Sequence, residues 1–410
     1  MCVRPLQHAI LADCDRQQNR ITERRAFGLN HDPKRRRLPL PLPHGLDMRR
    51  PLTALTASAL LVSACAGTPH GAVRDDADTG LIAEDTGADS PDTDLPDADA
   101  ASPDADADDT PDVPDDGLFH MPRRAACQST WRAPTATAPV TDPALIEASG
   151  LVVSPTHDGV IWSHNDSGDT ARLFALDTSG RALGQVHLQG VTAIDFEDLA
   201  AAPCPDRLRA CLWVADIGNN SLDRTDLAIY VVPEPDVDAR TPFGELTVAP
   251  IARIPIRYDD GLLNAEAFVV LPDASAFYIL EKVDEPRARI FVAEGPFTDG
   301  GAHVMRSLTT FASPGFGIAH GYEVTGADLH TDGTRMAVRL YLGSFEYRLG
   351  AGQSWADLGA IQPAQIAAGP LTERQGEAIT YDQAGPGLFT LSEDADRDGE
   401  ESLHHYDCVD

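Results

Sequence analysis

Acidic residues recur in this chain at two matched positions of a repeated phrase. Glu147, Glu197, Glu266 and Glu377 each stand at the head of a short apolar run. A second run, reached through a turn, ends at His164-Asn-Asp166, Asp216, Glu281 and Glu393. Carboxylates gathered in one place repel one another and are costly to bury unpaired. Water, basic partners or a bound cation relieve that cost, and hard oxygen donors suit Ca²⁺ or Mg²⁺ rather than Zn²⁺. The expected metal residues are therefore Glu147, Glu197, Glu266 and Glu377, joined by Asp166 and Asp216. A structural alternative has each Glu accept hydrogen bonds from backbone or neighbouring side chains. A separate signal follows the last copy, Asp394-Ala-Asp-Arg-Asp-Gly399. Oxygen donors at positions 1, 3 and 5 with Gly at 6 open a calcium loop. Position 9 is Ser402 and position 12 is His405, so the loop departs from the helix-flanked pattern. Asp394, Asp396 and Asp398 are its expected ligands, against the plainer alternative of a solvated acidic turn.

The fourth copy breaks the rule. Thr325 fills the acidic slot and the second run ends Arg339-Leu-Tyr341. One cation facing several carboxylates balances charge, or orients an anionic group beside a metal. His164, Arg339 and Tyr341 are the candidate ligand-binding residues. No catalytic residue can be assigned: Gly-x-Ser-x-Gly and His-Glu-x-x-His are absent, and Ser149 and Ser167 have no evident base.

These residues need a scaffold that brings distant copies together. The five copies, at irregular spacings of roughly 50 to 70 residues, match the blade lengths of propeller repeats. Each holds about four short runs, β-branched or aromatic, separated by Gly, Pro, Asp and Asn, and no long helical periodicity intervenes. The fold class expected is all-β, a β-propeller of five four-stranded blades, with six as the competing count. Strands that run up and down put the start of the innermost strand and the end of the second on one rim. The last copy lacks an outer strand, which the segment from Cys127 supplies. Cys204 and Cys211 bracket a hairpin-sized loop, so the expected pairs are Cys204 with Cys211 and Cys127 with Cys408, the latter closing the ring.

Composition sets the outer limits. The chain has 410 residues and a formal net charge of −32, which excludes nucleic acid as an expected partner. Residues 65–117 are nearly all Asp, Ala, Thr, Pro and Gly, a composition that cannot bury enough apolar area to fold. They read as a disordered linker ahead of a domain at 118–410. Residues 48–64 begin Met48-Arg-Arg and continue in an apolar run too short to span a bilayer. The run ends Leu61-Val-Ser-Ala-Cys65, which resembles the lipobox of bacterial lipoproteins. That resemblance implies cleavage before Cys65, lipid attachment to its sulfur, and a place in the cell envelope on the periplasmic or surface side. Residues 1–47 precede this second initiator and read as an over-extended leader.

Glu377-Ala-Ile-Thr-Tyr with Leu388-Phe-Thr-Leu-Ser-Glu393, and the related phrases at Glu147 and Glu266, resemble the blade motif of bacterial secreted propellers grouped as phytase-like or esterase-like. The acidic rim is similar in kind to that of the five-bladed calcium-dependent nucleotidases. The resemblance implies a propeller and, at its mouth, metal-dependent hydrolysis. Paired basic residues to grip a polyphosphate are scarce, however, with only Arg172, Arg224 and Arg339 scattered along the chain. One scaffold serves many functions. The expectation is thus a lipid-anchored, monomeric envelope protein that binds a ligand or protein partner at an acidic, calcium-holding mouth, not an enzyme in the first instance. A calcium-dependent phosphoester or ester hydrolase, and a structural or adhesive envelope component, are the alternatives.

Overall fold

The computed structural model describes residues 116–410 except 135, 316, 367–372, 374, 383, 394–401 and 410. Cys65, the expected site of lipid attachment, and the loop acids Asp394, Asp396 and Asp398 lie outside the described residues.

Two short strands, β1 (Thr130–Trp131) and β2 (Ala136–Pro139), come first. The first repeat follows with β3 (Ala148–Val153), β4 (Val160–Asn165), β5 (Arg172–Asp177) and β6 (Ala182–Leu188). The second has β7 (Phe196–Pro203), β8 (Ala210–Asp216), β9 (Ala228–Pro233), β10 (Gly244–Val248) and β11 (Ala252–Tyr258). The third has β12 (Ala265–Val270), β13 (Ala276–Glu281), β14 (Arg287–Glu294) and β15 (His303–Ala312). The fourth has β16 (Val324–Leu329), β17 (Arg335–Leu340), β18 (Gly343–Arg348) and β19 (Ala364–Ile366), with one short 3-10 turn at Trp355–Ala360. The fifth has β20 (Gly376–Tyr381), β21 (Gly387–Ser392) and β22 (Ser402–Val409). The result is an all-β, β-propeller-like fold of meandering antiparallel sheets, as the alternation of apolar runs and turns dictates.

Each repeat opens with a hairpin whose first strand is innermost. β3, β7, β12, β16 and β20 are buried almost throughout, on both faces of the strand. That is why they read as continuous apolar runs rather than alternating ones. The core is divided accordingly into clusters between successive sheets. Trp162, Phe196 and Leu212 pack the first repeat on the second, and Trp213, Phe268 and Phe277 the second on the third. Phe311, Met336 and Tyr347 join the third to the fourth, Ile379 and Ala337 the fourth to the fifth, and Phe389 and Phe174 the fifth to the first.

Two features depart from a plain meander. β10 leaves its own repeat and pairs in parallel with the outer edge of β6, Leu246 opposite Val186. β11 pairs in parallel with β15, so the second and third repeats share one eight-stranded sheet. Both arrangements cover strand edges that would otherwise stand open. At the chain ends, β1 and β2 pair antiparallel with β22, Trp131 opposite Cys408. The disulfides are Cys127–Cys408 and Cys204–Cys211, the two pairs expected. Upstream of β1, Phe119 N donates to Arg207 O, in the loop between β7 and β8. The buried Arg124 donates to Val153 O and Tyr381 O, the last residues of β3 and β20.

Candidate functional site

One irregularity recurs in all five inner hairpins and builds the site. The register slips by one residue near the start of the inner strand, between Phe196 and Asp198, Ala265 and Ala267, Val324 and Gly326, Gly376 and Ala378, and Ala148 and Leu151. A bulge leaves its extra residue out of the ladder and re-aims the side chain. The residues so released are Glu197, Glu266, Thr325 and Glu377. In the first repeat the same register gives the slot to Ser149, two residues beyond Glu147. Ser149 Oγ donates to Glu197 O at 2.6 Å, and Thr325 Oγ1 to Gly376 O at 2.8 Å. The slots of neighbouring inner strands therefore lie at one level. Glu147 sits just before the strand, half-buried, with its carbonyl accepting from Asp166 N.

One level further in, Asp198 ties the inner strands together. Its Oδ2 accepts Phe268 N of the third repeat at 2.8 Å and Ala327 N of the fourth at 3.1 Å. Val153 N donates to Thr380 Oγ1, linking first to fifth. Burial holds the Asp198 carboxyl well above the usual carboxylate range.

Above that level the carboxylates gather. Asp166, Asp195 and Glu197 each present an oxygen within 4.8 Å of the others. Glu197 is 1% exposed, and its Oε1 has no hydrogen-bond partner among the described residues. A Cβ on Gly218 would stand 1.9 Å from that oxygen and 2.5 Å from Asp195 Oδ2. Only glycine leaves the space, whatever the backbone angles. Burial, then the charges of Glu266, Asp166 and Asp195, pushes the Glu197 carboxyl well above its ordinary range. Asp166 is raised by burial and by Asp195, Glu266 and Glu393. Glu377 is raised by burial and Glu266, against Lys282. Burial raises Glu266 to about 7, although Lys282 pulls the other way. Such a set favours protons or a cation over bare charge.

Basic residues neutralise the outer members. Lys282 Nζ, only 11% exposed, donates to Glu266 Oε1 and, at 2.6 Å, to Tyr341 Oη. Burial works against its charge, but Glu266, Tyr341, Glu377 and Glu323 outweigh burial and hold its pKa above the ordinary value. Arg224 Nη2 pairs with Asp216 Oδ1 at 2.7 Å, and Asp216 Oδ1 also accepts Asp195 N. Arg289 pairs with Glu281 at 2.6 Å.

The sequence candidates thus divide. Glu197, Glu266, Glu377, Asp166 and Asp216 come together with Tyr341 beside them. His164 does not face the mouth. It is fully buried, its Nδ1 lies 3.0 Å from Asn165 O, and burial lowers its pKa to about 4. Arg339 is also withdrawn, because its guanidinium packs over Gly376 and reaches Glu373 at 2.8 Å and Ser344 at 3.1 Å. Asp195, Gly218 and Lys282 went unread in the sequence. Asp195 had a signal, standing two residues ahead of Glu197 in Asp195-Phe-Glu-Asp198. Lys282 and Gly218 had none, being single loop residues past strand ends.

No family model and no curated protein matches the chain. Among solved structures, a chain in a crystal structure of the mitotic checkpoint complex is similar at 14% identity, with a TM-score of 0.31. The match covers 64% of this chain, and the chain spans about 62% of that protein's length. So loose a likeness has no bearing on function.

Proposed function

We propose that this chain is a lipid-anchored envelope protein whose propeller of five blades, closed by β1, β2 and the Cys127–Cys408 bridge, binds a ligand through a divalent cation at its acidic mouth. Asp166, Asp195 and Glu197 are the inner ligands, with Glu377 and Glu393 completing the negative wall. The observation that carries this reading is Glu197 Oε1, a buried carboxylate oxygen with no described partner, set among two further carboxylates that the missing side chain of Gly218 lets pack together. An uncompensated buried carboxylate costs several kcal/mol, which a cation removes. All the donors are hard oxygens, and a Ca–O distance of about 2.4 Å spans such a spread. Calcium is therefore the ion of choice. It takes 6 to 8 oxygens, more than three carboxylates supply, and the remaining positions are where a ligand's oxygen atoms bind.

Calorimetric titration of the full-length protein with calcium tests the reading. Saturable binding should appear, and Glu197→Gln should weaken it at least tenfold. No binding heat and no rise in melting temperature with calcium would refute it. A second reading, calcium-dependent phosphoester hydrolysis, draws on Lys282 and Tyr341, which stand ready to hold an oxyanion beside the ion. Calcium-dependent turnover of a phosphoester, lost in chelator, would favour it over binding alone.

A further inference from the structure

The loops around the acidic centre carry more apolar surface than a site for a wholly polar ligand needs. Eight large apolar side chains are exposed among the described residues, and four of them rim this mouth: Ile194 at 43%, Leu222 at 52%, Leu262 at 49% and Ile318 at 38%. Ile194, Leu262 and Ile318 lie in loops that lead into the inner strands β7, β12 and β16, and Leu222 in the loop that leaves β8. Register pairs the start of each of these inner strands with the end of its neighbour, Phe196 opposite Asp216 and Ala265 opposite Glu281. All four loops therefore stand at the carboxylate end.

Leu222 is the most telling. It occupies the left-handed region at φ 52° while exposed to solvent, a conformation disfavoured for a branched apolar side chain and concentrated at functional sites. The loop is held firmly. Leu222 N donates to Asn219 O, Asn219 N to Asn264 Oδ1, and Asn219 Nδ2 to Leu263 O. Leu222 and Leu262 are thus presented on two loops laced to each other.

Beside the carboxylates stand two donors with protons unused among the described residues. An ammonium group has three protons. Lys282 uses one on Glu266 and one on Tyr341, and its next acceptor, Glu323, is 4.0 Å away. Tyr341 Oη accepts from Lys282 and has no acceptor for its own proton among the described residues. Lys282, Arg224 and Arg289 already pair with Glu266, Asp216 and Glu281. The ion's open coordination positions and these two donors are then what the centre offers to a ligand's oxygen atoms.

We infer that the ligand of this mouth is a single-chain anionic amphiphile. Its phosphate or carboxylate head meets the cation, Lys282 Nζ and Tyr341 Oη, and its aliphatic body lies over Leu222, Leu262 and Ile194. This rests on the cation reading above, and the two can fail separately.

Titration of the full-length protein with hexyl phosphate, methyl phosphate and hexanoate, each in saturating calcium, reads it out. Hexyl phosphate should bind about tenfold or more tightly than methyl phosphate, the factor expected from burying about two methylenes. Leu222→Ser combined with Leu262→Ser, both at exposed positions, should erase that preference and leave methyl phosphate binding unchanged. Tyr341→Phe should weaken both phosphates alike, by about fivefold to tenfold. Hexanoate binding comparable to hexyl phosphate assigns the head to carboxylates as well, within the same class. Calcium binding that persists with no preference for hexyl over methyl phosphate overturns this inference and leaves the cation reading standing. Absence of calcium binding overturns both.

Discussion

Glu373 and Glu197 are buried to the same degree, 2% and 1% exposed, and fare in opposite ways. Glu373 meets a complete reception. Its Oε2 accepts Arg339 Nη2 at 2.8 Å and Ser392 Oγ at 3.3 Å, and its Oε1 accepts Thr390 Oγ1 at 2.9 Å and Tyr406 Oη. Burial would raise its pKa, but Arg339, His404 and these hydroxyl donors outweigh burial and hold the carboxyl below its ordinary range. Glu197 has like-charged neighbours and an orphaned oxygen, and is pushed well above that range. Among the described residues, Arg339 Nε is the one atom left over in the first network. A satisfied buried charge specifies structure, and an unsatisfied one marks where something else belongs.

The largest way to test that contrast is to break the satisfied pair. Arg339→Met leaves Glu373 buried without its countercharge and should cost about 3–5 kcal/mol in urea unfolding. The loss should be the same in calcium and in chelator. A loss that calcium restores would place Arg339 at the mouth after all.

Glu197→Gln should behave oppositely. It removes a buried charge that has no partner, so without calcium the variant should be as stable as the parent or more stable, by about 1 kcal/mol. The parent should gain about 2.7 kcal/mol at calcium a hundredfold above its dissociation constant, and the variant much less. A variant clearly less stable than the parent in chelator would show Glu197 to be a structural acceptor like Glu373.

The smallest effect separates the two regions along the pH axis. Glu266 has an ordinary pKa of 4.5 and about 7 in the fold. Between those values the folded protein holds a proton that the unfolded chain has lost. Stability from this group is complete below pH 4.5 and drains away as pH rises through 7. Glu373, held low, works the other way, and its contribution is lost on acidification. In chelator the melting temperature should therefore fall by a few degrees from pH 5 to 8. Calcium, or Glu266→Gln, should flatten that slope. A slope unchanged by either would mean that the rim acids are not what titrates.

Much of this was legible in the sequence because the acids keep step with the strands. Glu197, Glu266 and Glu377 each hold the second position of an inner strand, so a repeat visible in the sequence becomes a convergence in space. The first repeat misled for a definable reason. Glu147 and Ser149 are two residues apart, and which of them takes the slot depends on a bulge, a register slip with no sequence mark of its own. Arg339 broke the acidic pattern and drew attention to the mouth, but its partner Glu373 lies ahead of β20 in a stretch without strand periodicity. β10 escaped notice because Gly244–Val248 is largely exposed and shows no apolar alternation. Its place is set by a neighbouring repeat rather than by its own residues.

The strap ahead of β1 bears on how the mouth meets its surroundings. Arg124 grips Val153 O and Tyr381 O at the far ends of two inner strands, and Phe119 is tied to the Cys204–Cys211 loop at that same end. The polypeptide therefore enters the fold opposite the carboxylates. Arg124 lies across the ends of β3 and β20 like a bolt, on the side of the fold away from the acids. A partner that gripped Phe119 and Arg124 would stand on the side opposite the acids and leave them uncovered.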